Sequence, residues 1–419
     1  MRASPLRSSR GLLAVAGAVV ACGGGSGESR APLDGGTIGV TGAPSGGTSQ
    51  DGGAGFLHPG VLVNQAQLTF VKQKISAKAD PWSSALAGVL SSSFASTSYA
   101  PQPIADVECG SDSNPDVGCS AEMNDAIAAY TQALLWVLTG TETYAKNAIA
   151  IMNAWSSVLM MHTDSNAPLQ SAWAGSVFVR AAEIARWTNA GWADPDVARF
   201  EAMLRNVYLP EVVNGAPREN GNWELSMVEA TIGIAVFLDD RATFDKALAT
   251  WRARVPAYVY VTSDGAAPLP PPGGDYPSAS DVKTFWYSPA SLPNGLCQET
   301  CRDLGHVQYG FAAMIHAAET ARIQGTDLYS EQEARITAGL ELHAQYLGST
   351  PPASPCSAAL VAVTPDPTWE IAYNEYANRL GESLQATDAL IQVIRPTGTD
   401  HHMDWETLTH AEVGAVGLP

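Results

Sequence analysis

Residues 296–320 read LCQETCRDLGHVQYGFAAMIHAAET, and the rest of the chain is organised around them. At about 100° per residue, a helix brings Gln298, Arg302, His306 and Tyr309 within about 80° of one another, with Leu304, Val307, Phe311, Met314, Ile315 and Ala318 opposite. A solvated helical face ordinarily carries Lys and Glu, which lose little side-chain freedom there. This face carries an Arg, a His and a Tyr. All three donate hydrogen bonds to anions, and two of them move protons near neutral pH once their environment tunes them. One face packs; the other holds either chemistry or a polar network beneath a loop.

Outward from this stretch the pattern is helix after helix, with few runs of period two. Asn64 to Ala79 opens the series. Met123–Leu138 and Thr143–Leu159 carry apolar residues at helical spacing with Thr139-Gly140 as the stop between them. Ser171–Thr188 and Pro195–Leu209 make the next pair, and the strongly apolar Asn222–Leu238, NWELSMVEATIGIAVFL, reads as a buried helix completed by Arg241–Val255. Val261 to Pro293 is rich in Gly, Pro, Ser and Asp and reads as a long loop with no core of its own, a feature usually tied to function. Helices resume at Cys297, at Glu331–Leu347 and at Thr368–Leu380. Antiparallel helical hairpins in succession predict an all-α fold, either an incomplete (α/α) toroid or an irregular helical array.

Composition bounds the partners. With 419 residues core size is not limiting, and a formal net charge of -19 argues against nucleic acid, which needs a basic field. Arg2, Arg7 and Arg10 precede an apolar run from Gly11 to Ala21, too short to span a bilayer but suited to a secretory signal. That run ends in Val19-Val20-Ala21-Cys22, which resembles a bacterial lipobox with Cys22 as the lipidated residue. The expected organisation is therefore a lipoprotein signal at 1–22, a Gly/Ser-rich tether at 23–55, and one domain at 56–419. The protein is expected to be exported, monomeric and attached to the cell envelope only through lipid.

An exported chain permits disulfides. The loop CGSDSNPDVGC between Cys109 and Cys119 closes easily, so a bridge is expected there. Cys297 and Cys301 sit a helical turn apart, compatible with a bridge but uncommon for one, and Cys356 is then left over. A zinc site from Cys297, Cys301 and His306 lacks the usual spacing and a fourth ligand, so no metal or other cofactor is expected.

Four clusters hold candidate chemistry: ENGNWE at 219–224, where Asn222 also serves as a candidate helix N-cap; the Gln298, Arg302, His306, Tyr309 face; WEIAYNEYANR at 369–379; and GTDHHMDWETLT at 398–409, where His401 and His402 are either metal ligands or surface decoration. Together ENGNWE, QETCRDLGHVQYG, WEIAYNEYANRLG and RPTGTDHHMDWETLTHA resemble the alginate lyase superfamily of secreted polysaccharide lyases, over most of the chain from about His58 to Ala411. The resemblance implies an α/α toroid. It also implies a charge-neutralising Asn222, and an Arg302-to-Tyr309 spacing that reproduces the family's catalytic helix. One departure is plain: Trp223 stands where the best-known members have a His directly after the Asn. His306 is the candidate to replace it.

The residues fit β-elimination from a 4-linked uronate. Asn222 and Arg302 would hydrogen-bond the uronate carboxylate and stabilise the enolate-like charge. Tyr309 would take the C5 proton, with Arg302 or a protonated His306 lowering its proton affinity, and would then protonate O4. One group doing both jobs implies syn geometry, which suits mannuronate better than guluronate. Gln170, Trp173, Trp223, Gln298, Tyr373 and Asn374 are the candidate sugar contacts. Two rivals stand beside this reading. The first is a glycoside hydrolase on a helical toroid, with carboxylates drawn from Glu224, Glu299, Asp303 or Glu370; the second is a non-catalytic glycan-binding lipoprotein.

Overall fold

The computed structural model describes residues 55–414 and Val416. Cys22 and the tether up to residue 54 lie outside the described residues. From Ala54 onward the chain forms one compact unit, and no helix among the described residues is long and apolar enough to cross a membrane.

The helix Gly221–Phe237 is the hub. It packs against Ala167–Trp187 on one side, Leu304–Ile323 on the other and Arg241–Arg254 behind. All of its residues except Trp223 are buried, as expected for a segment that is apolar on every face. Ala167–Trp187 packs in turn on Cys119–Thr139, and that helix on Glu142–Val158. The result is an inner row of four helices, Cys119–Thr139, Ala167–Trp187, Gly221–Phe237 and Leu304–Ile323, backed by Glu142–Val158, Asp194–Met203 and Arg241–Arg254. This is the incomplete α/α toroid. Short strands Asp106–Cys109, Asp116–Val117 and Met161–Thr163 form one small sheet, and the antiparallel pair Thr399–Asp400 and Met403–Asp404 forms another. After this C-terminal hairpin, Glu406–His410 packs on Gln65–Ser76 and Trp82–Ser91, so the end of the body meets its beginning.

Three sequence expectations change. Residues 297–303 are not helical: Asp303 is the N-cap, accepting a hydrogen bond from the His306 amide, and the helix starts at Leu304. An Asp three residues before a helix-spaced His caps the turn between them and so fixes where the helix begins. Gln298 and Arg302 therefore sit in the turn before the helix, while His306 and Tyr309 ride on it.

The segment 261–293 does have a core of its own. Tyr260, Val282, Trp286 and Leu296 form a buried cluster with Tyr276, Phe285, Leu292 and Leu342 packed against it, and Ala279–Phe285 is a helix capped reciprocally by Ser278 and Asp281. The aromatic run Phe285-Trp286-Tyr287 supplies the apolar area that the surrounding Gly and Pro conceal.

The cysteines pair differently from the expectation for the second half of the chain. Disulfides join Cys109 to Cys119 and Cys301 to Cys356, and Cys297 is free and buried. Cys301 lies in the non-helical turn, which lets it face the Pro-rich loop rather than Cys297. The second bridge closes a sequence separation of 55 residues, for which the chain-entropy account gives about 4 kcal/mol. Cys301→Ser with Cys356→Ser should lower the denaturation free energy by a large part of that amount, read from urea unfolding; an unchanged midpoint would show that the loop is held by other contacts.

Candidate active site

Two glycines let the key elements approach. A Cβ on Gly221 would lie 1.9 Å from the Tyr258 ring, and one on Gly310 would lie 2.0 Å from its hydroxyl oxygen. Tyr258, fully buried, thus wedges between the helix that carries Asn222 and the one that carries Tyr309. Only glycine admits this closeness.

Around Tyr309 the structure assembles residues from three segments. Its ring lies 5.6 Å from Trp173, 5.2 Å from His401, 6.2 Å from His402 and 6.2 Å from His306. The hydroxyl donates to Asp400 Oδ2 across a long 3.4 Å and lies 3.3 Å from His401 Nδ1. His401 Nδ1 is 2.5 Å from Asp400 Oδ1. This is the contact of an Nδ1–H with a carboxylate, and it leaves Nε2 as the ring nitrogen not engaged by Asp400. His401 has a left-handed backbone (φ 48) at the tip of the hairpin, which turns its ring toward Tyr309 while His402 points inward. Gln170, Asp400 and His401 line a cavity of about 270 Å³ together with Asn124, Ser120 and Thr399.

The environment of Tyr309 runs against the expectation of a phenol made acidic by cations. Burial, then the charges of Asp400 and Asp366, push its proton affinity well up. It rests as a neutral phenol. Asp400 itself is held below the usual carboxylate range, because the hydrogen bond and charge of His401 outweigh its burial.

Arg302 and Asn222 converge on a carboxylate belonging to the protein. Glu299, fully buried, accepts from Asn222 Nδ2 at 2.7 and 2.9 Å, from the Asn222 amide at 3.1 Å and from Arg302 at 2.9 Å. Burial raises Glu299 despite these donors. Arg302 keeps 27% of its side chain exposed, and its Nε lies 3.8 Å from Asp303 Oδ2. Asn222, 1% exposed, spends its amide protons on Glu299 and is not the side-chain N-cap of its helix. His306 does not reach the Tyr309 hydroxyl by any hydrogen bond among the described residues; its Nδ1 sits on the two Asp303 oxygens at 2.8 and 2.7 Å.

The proposed sugar contacts divide. Trp173, with its rings against Tyr309 and His401, and Gln170, in the cavity wall, belong to the site. Trp223 is the half-exposed residue at the head of the hub helix. Gln298 does not face a ligand: it is fully buried, accepts from the Gly221 amide and donates to Asn220 and to the Phe285 carbonyl. It is the pin that fastens the 261–293 segment to the ENGNWE turn. Asn374 accepts from the Gly414 amide at 2.8 Å, and Tyr373 lies among Asp388, Arg395 and Glu370; both serve the C-terminal packing.

The carboxylates considered for hydrolysis are occupied as well. Glu224 pairs with Arg254, Glu370 with Arg395, Glu299 with Asn222 and Arg302, and Asp303 with His306. His402 is buried rather than decorating the surface. With Glu229 and His316 it brings three potential ligand atoms within 4.8 Å of one another, but the Arg180 guanidinium already donates to Glu229 and to His316 Nδ1 in that space. A buried cation of the protein's own balances that cluster.

Sequence reasoning missed Asp400 and Tyr287 as members of the site, and named Glu299 only as a candidate hydrolytic carboxylate and not as the partner of Arg302 and Asn222. Tyr287 is exposed, has a left-handed backbone (φ 59) and shares its hydroxyl with the Asn220 side chain. Its aromatic neighbours in an otherwise Gly/Pro-rich stretch were the available signal. Asp400 and Glu299 each sit within three residues of a residue already singled out.

The geometry thus defines an α/α-toroid protein in which a phenol and an imidazole meet, with a guanidinium on the turn that leads into the helix carrying the phenol. Comparison with known proteins agrees. The family model described as alginate lyase matches residues 100–269, a span that contains Gln170, Trp173 and Asn222 but ends before Arg302. Alginate lyase A1-III from Sphingomonas species A1 superimposes with a TM-score of 0.57 at 16% identity, covering 85% of this chain and 97% of that one. A variant of alginate lyase A1-III complexed with tetrasaccharide gives 0.59 at 16% identity, over 85% of this chain and 97% of its own. An alginate lyase from Bacteroides ovatus gives 0.50 at 14% identity, over 85% and 100%. No curated protein matches the sequence significantly. The chain is thus similar to the alginate lyases in two respects, the family-model match over residues 100–269 and the helical toroid shared with the solved structures.

Proposed function

We propose that this protein cleaves a 4-linked uronate glycan, polymannuronate or a glucuronan-like polymer, by β-elimination. The observation that carries the reading is the Tyr309 hydroxyl set against His401 and Asp400 and beside Trp173, with Arg302 on the turn that leads into the same helix. Arg302, fixed by Glu299, directs its remaining donors to the uronate carboxylate and stabilises the charge that develops there. His401 is oriented by Asp400 as a triad histidine is by its aspartate, and takes the C5 proton on Nε2. Tyr309, a neutral phenol, gives its proton to O4 as the C4–O4 bond breaks and the C4=C5 bond forms. The His401 imidazolium then gives its Nε2 proton to water and the Tyr309 phenolate takes a proton from water, which restores both groups with no net change in protons. Asn222 acts through Glu299, as a residue that positions Arg302.

This division of labour replaces His306 by His401. His401→Gln should lower turnover about 10²-fold, while His306→Gln, which loses contact only with Asp303, should lower it less than about tenfold; the reverse order in steady-state rates would restore His306. The substrate itself is identified by a panel of polymannuronate, polyguluronate, glucuronan and hyaluronan followed by ultraviolet absorbance. The largest rate should fall on a 4-linked uronate, with unsaturated product as the readout. Cys22 as a lipid anchor, export to the cell envelope and a monomeric state complete the proposal. Release of Cys22→Ser protein from membranes tests the anchor.

A further inference from the structure

The cavity beside Tyr309 is not built to hold an anion. His401 and Asp400, which face the Tyr309 hydroxyl, also form part of its wall, so a unit held there adjoins the bond that the phenol would protonate. Gln170 and Trp173 tie the same two places together from one turn of helix: Trp173 packs on Tyr309 and Gln170 lines the cavity. A volume of about 270 Å³ gives room for about one sugar unit. Met123, Ile127 and the half-buried Phe94 make its apolar side, a surface for the C–H face of a pyranose. Its polar side carries no Lys or Arg among the described residues. Gln170 spends its Nε2 protons on Glu122 Oε2 at 2.7 Å and on the Cys119 carbonyl at 3.1 Å, which leaves the acceptor Oε1. Asp400, held below the usual carboxylate range, is a second acceptor and carries charge at neutral pH. The Ser120 hydroxyl donates to Asp116, which brings another carboxylate behind the wall. Asn124 stands apart on its helix: every residue from Glu122 to Leu135 is buried except this one, and its side-chain amide makes no hydrogen bond among the described residues.

We propose that this cavity is a subsite for an uncharged sugar, so that the preferred polymer is one whose 4-linked uronate is flanked by neutral units rather than by further uronates. This rests on the uronate reading above and narrows the class of polymer. Sugar hydroxyls both donate and accept, so a neutral ring answers the Asn124 amide, Gln170 Oε1 and Asp400 together. A carboxylate accepts only. In this cavity it would find neutral donors alone, with Asp400 and Gln170 Oε1 against it and no cation to offset the loss of its hydration. The cation belongs to the other position: Arg302 stands on the turn ahead of the Tyr309 helix, where the reacting uronate is placed. Polymers made of uronate throughout remain substrates with weaker binding, since any unit they put in the cavity is charged.

The test compares glucuronan with hyaluronan. Both contain glucuronate substituted at O4, but its neighbours are glucuronate in the first and an uncharged acetamido sugar in the second. Fragments of equal length are followed by ultraviolet absorbance for kcat/KM and by calorimetry for Kd, in salt high enough to screen the net charge of -19. In wild type, hyaluronan fragments should bind at least about tenfold more tightly and react with a correspondingly higher kcat/KM. Asn124→Arg supplies the absent cation at an exposed position, with a thermal melt to confirm folding, and should cut that preference at least about fivefold. One charge added to -19 hardly alters the long-range field, so the shift reads the cavity itself. If the longer side chain blocks both polymers, Asn124→Ala decides: hyaluronan affinity should fall at least about threefold, and an unchanged affinity would overturn the subsite. Equal binding of the two polymers by wild type, a preference for glucuronan, or an unaltered preference in folded Asn124→Arg would overturn it as well and leave the lyase reading standing. Hyaluronan bound in preference with neither polymer cleaved would support the subsite and refute the lyase reading. Binding of neither polymer would refute both.

Discussion

Tyr309→Phe should lower turnover about 10³-fold, within the range of a lost general acid, while leaving polymer affinity and folding close to wild type. The substitution removes one oxygen and keeps the ring that packs against Trp173 and His401. The hydroxyl makes only long contacts with Asp400 and His401, so its loss costs little stability. A phenol that served only to satisfy a buried network would show the opposite signature, with a lowered melting temperature and a nearly unchanged rate. The phenol is neutral at rest because burial and the Asp400 and Asp366 charges disfavour the phenolate. The defect should therefore appear in the step that breaks C4–O4. Substrates with a better leaving group at C4 should recover part of the lost rate in the Phe variant, and recovery of none of it would move Tyr309 to another role.

Arg302→Ala should cost about 10²- to 10³-fold in kcat/KM, the range for removing one donor aimed at developing negative charge. Arg302→Lys should recover only part of this, because an ammonium cannot reproduce the planar fork that binds Glu299 on one side and a carboxylate on the other. Glu299 makes the prediction sharper. It is fully buried and takes donors from Arg302 and from both the amide and the side chain of Asn222. Asn222→Ala should accordingly lower stability as well as rate, by about 1–3 kcal/mol for a buried carboxylate stripped of its amide partner. Arg302→Ala leaves those Asn222 bonds intact and should lose mainly rate. Equal loss of stability in the two variants would show that Arg302 is part of the same internal network and not a substrate ligand.

The parts of the fold that depend on periodicity were legible. The four inner helices follow apolar spacing that no loop chemistry interrupts, and the hairpin order follows from the stops between them. The head of the helix that carries Tyr309 was not. Gln298, Arg302, His306 and Tyr309 fit one helical face by spacing, but the Asp303 side chain caps the His306 amide and the helix begins only after it. Spacing reports which residues share a face if the segment is helical and is silent on where it starts.

Polar residues posed a related difficulty. Gln298 and Asn374 look like ligand contacts in sequence, yet both are buried and bonded to backbone groups of distant segments, pairings that depend on tertiary packing alone. The neighbours His401 and His402 show the limit most clearly. The hairpin turn sends one to Tyr309 and the other to Glu229 in the core, and two adjacent histidines in a sequence carry no sign of which is which. The Cys109–Cys119 bridge was legible from its short loop, but the partner of Cys301 was not, since Cys301 meets Cys356 only because the turn before Asp303 is not helical.

The most direct measurement is to incubate the purified protein with polymannuronate and follow ultraviolet absorbance and new reducing ends in parallel. Elimination predicts that the two rise together, one unsaturated C4=C5 terminus for each bond cut, and that Tyr309→Phe suppresses both. Reducing ends without absorbance would mean hydrolysis, and tight binding with neither signal would mean a glycan-binding protein; either result would contradict β-elimination at Tyr309.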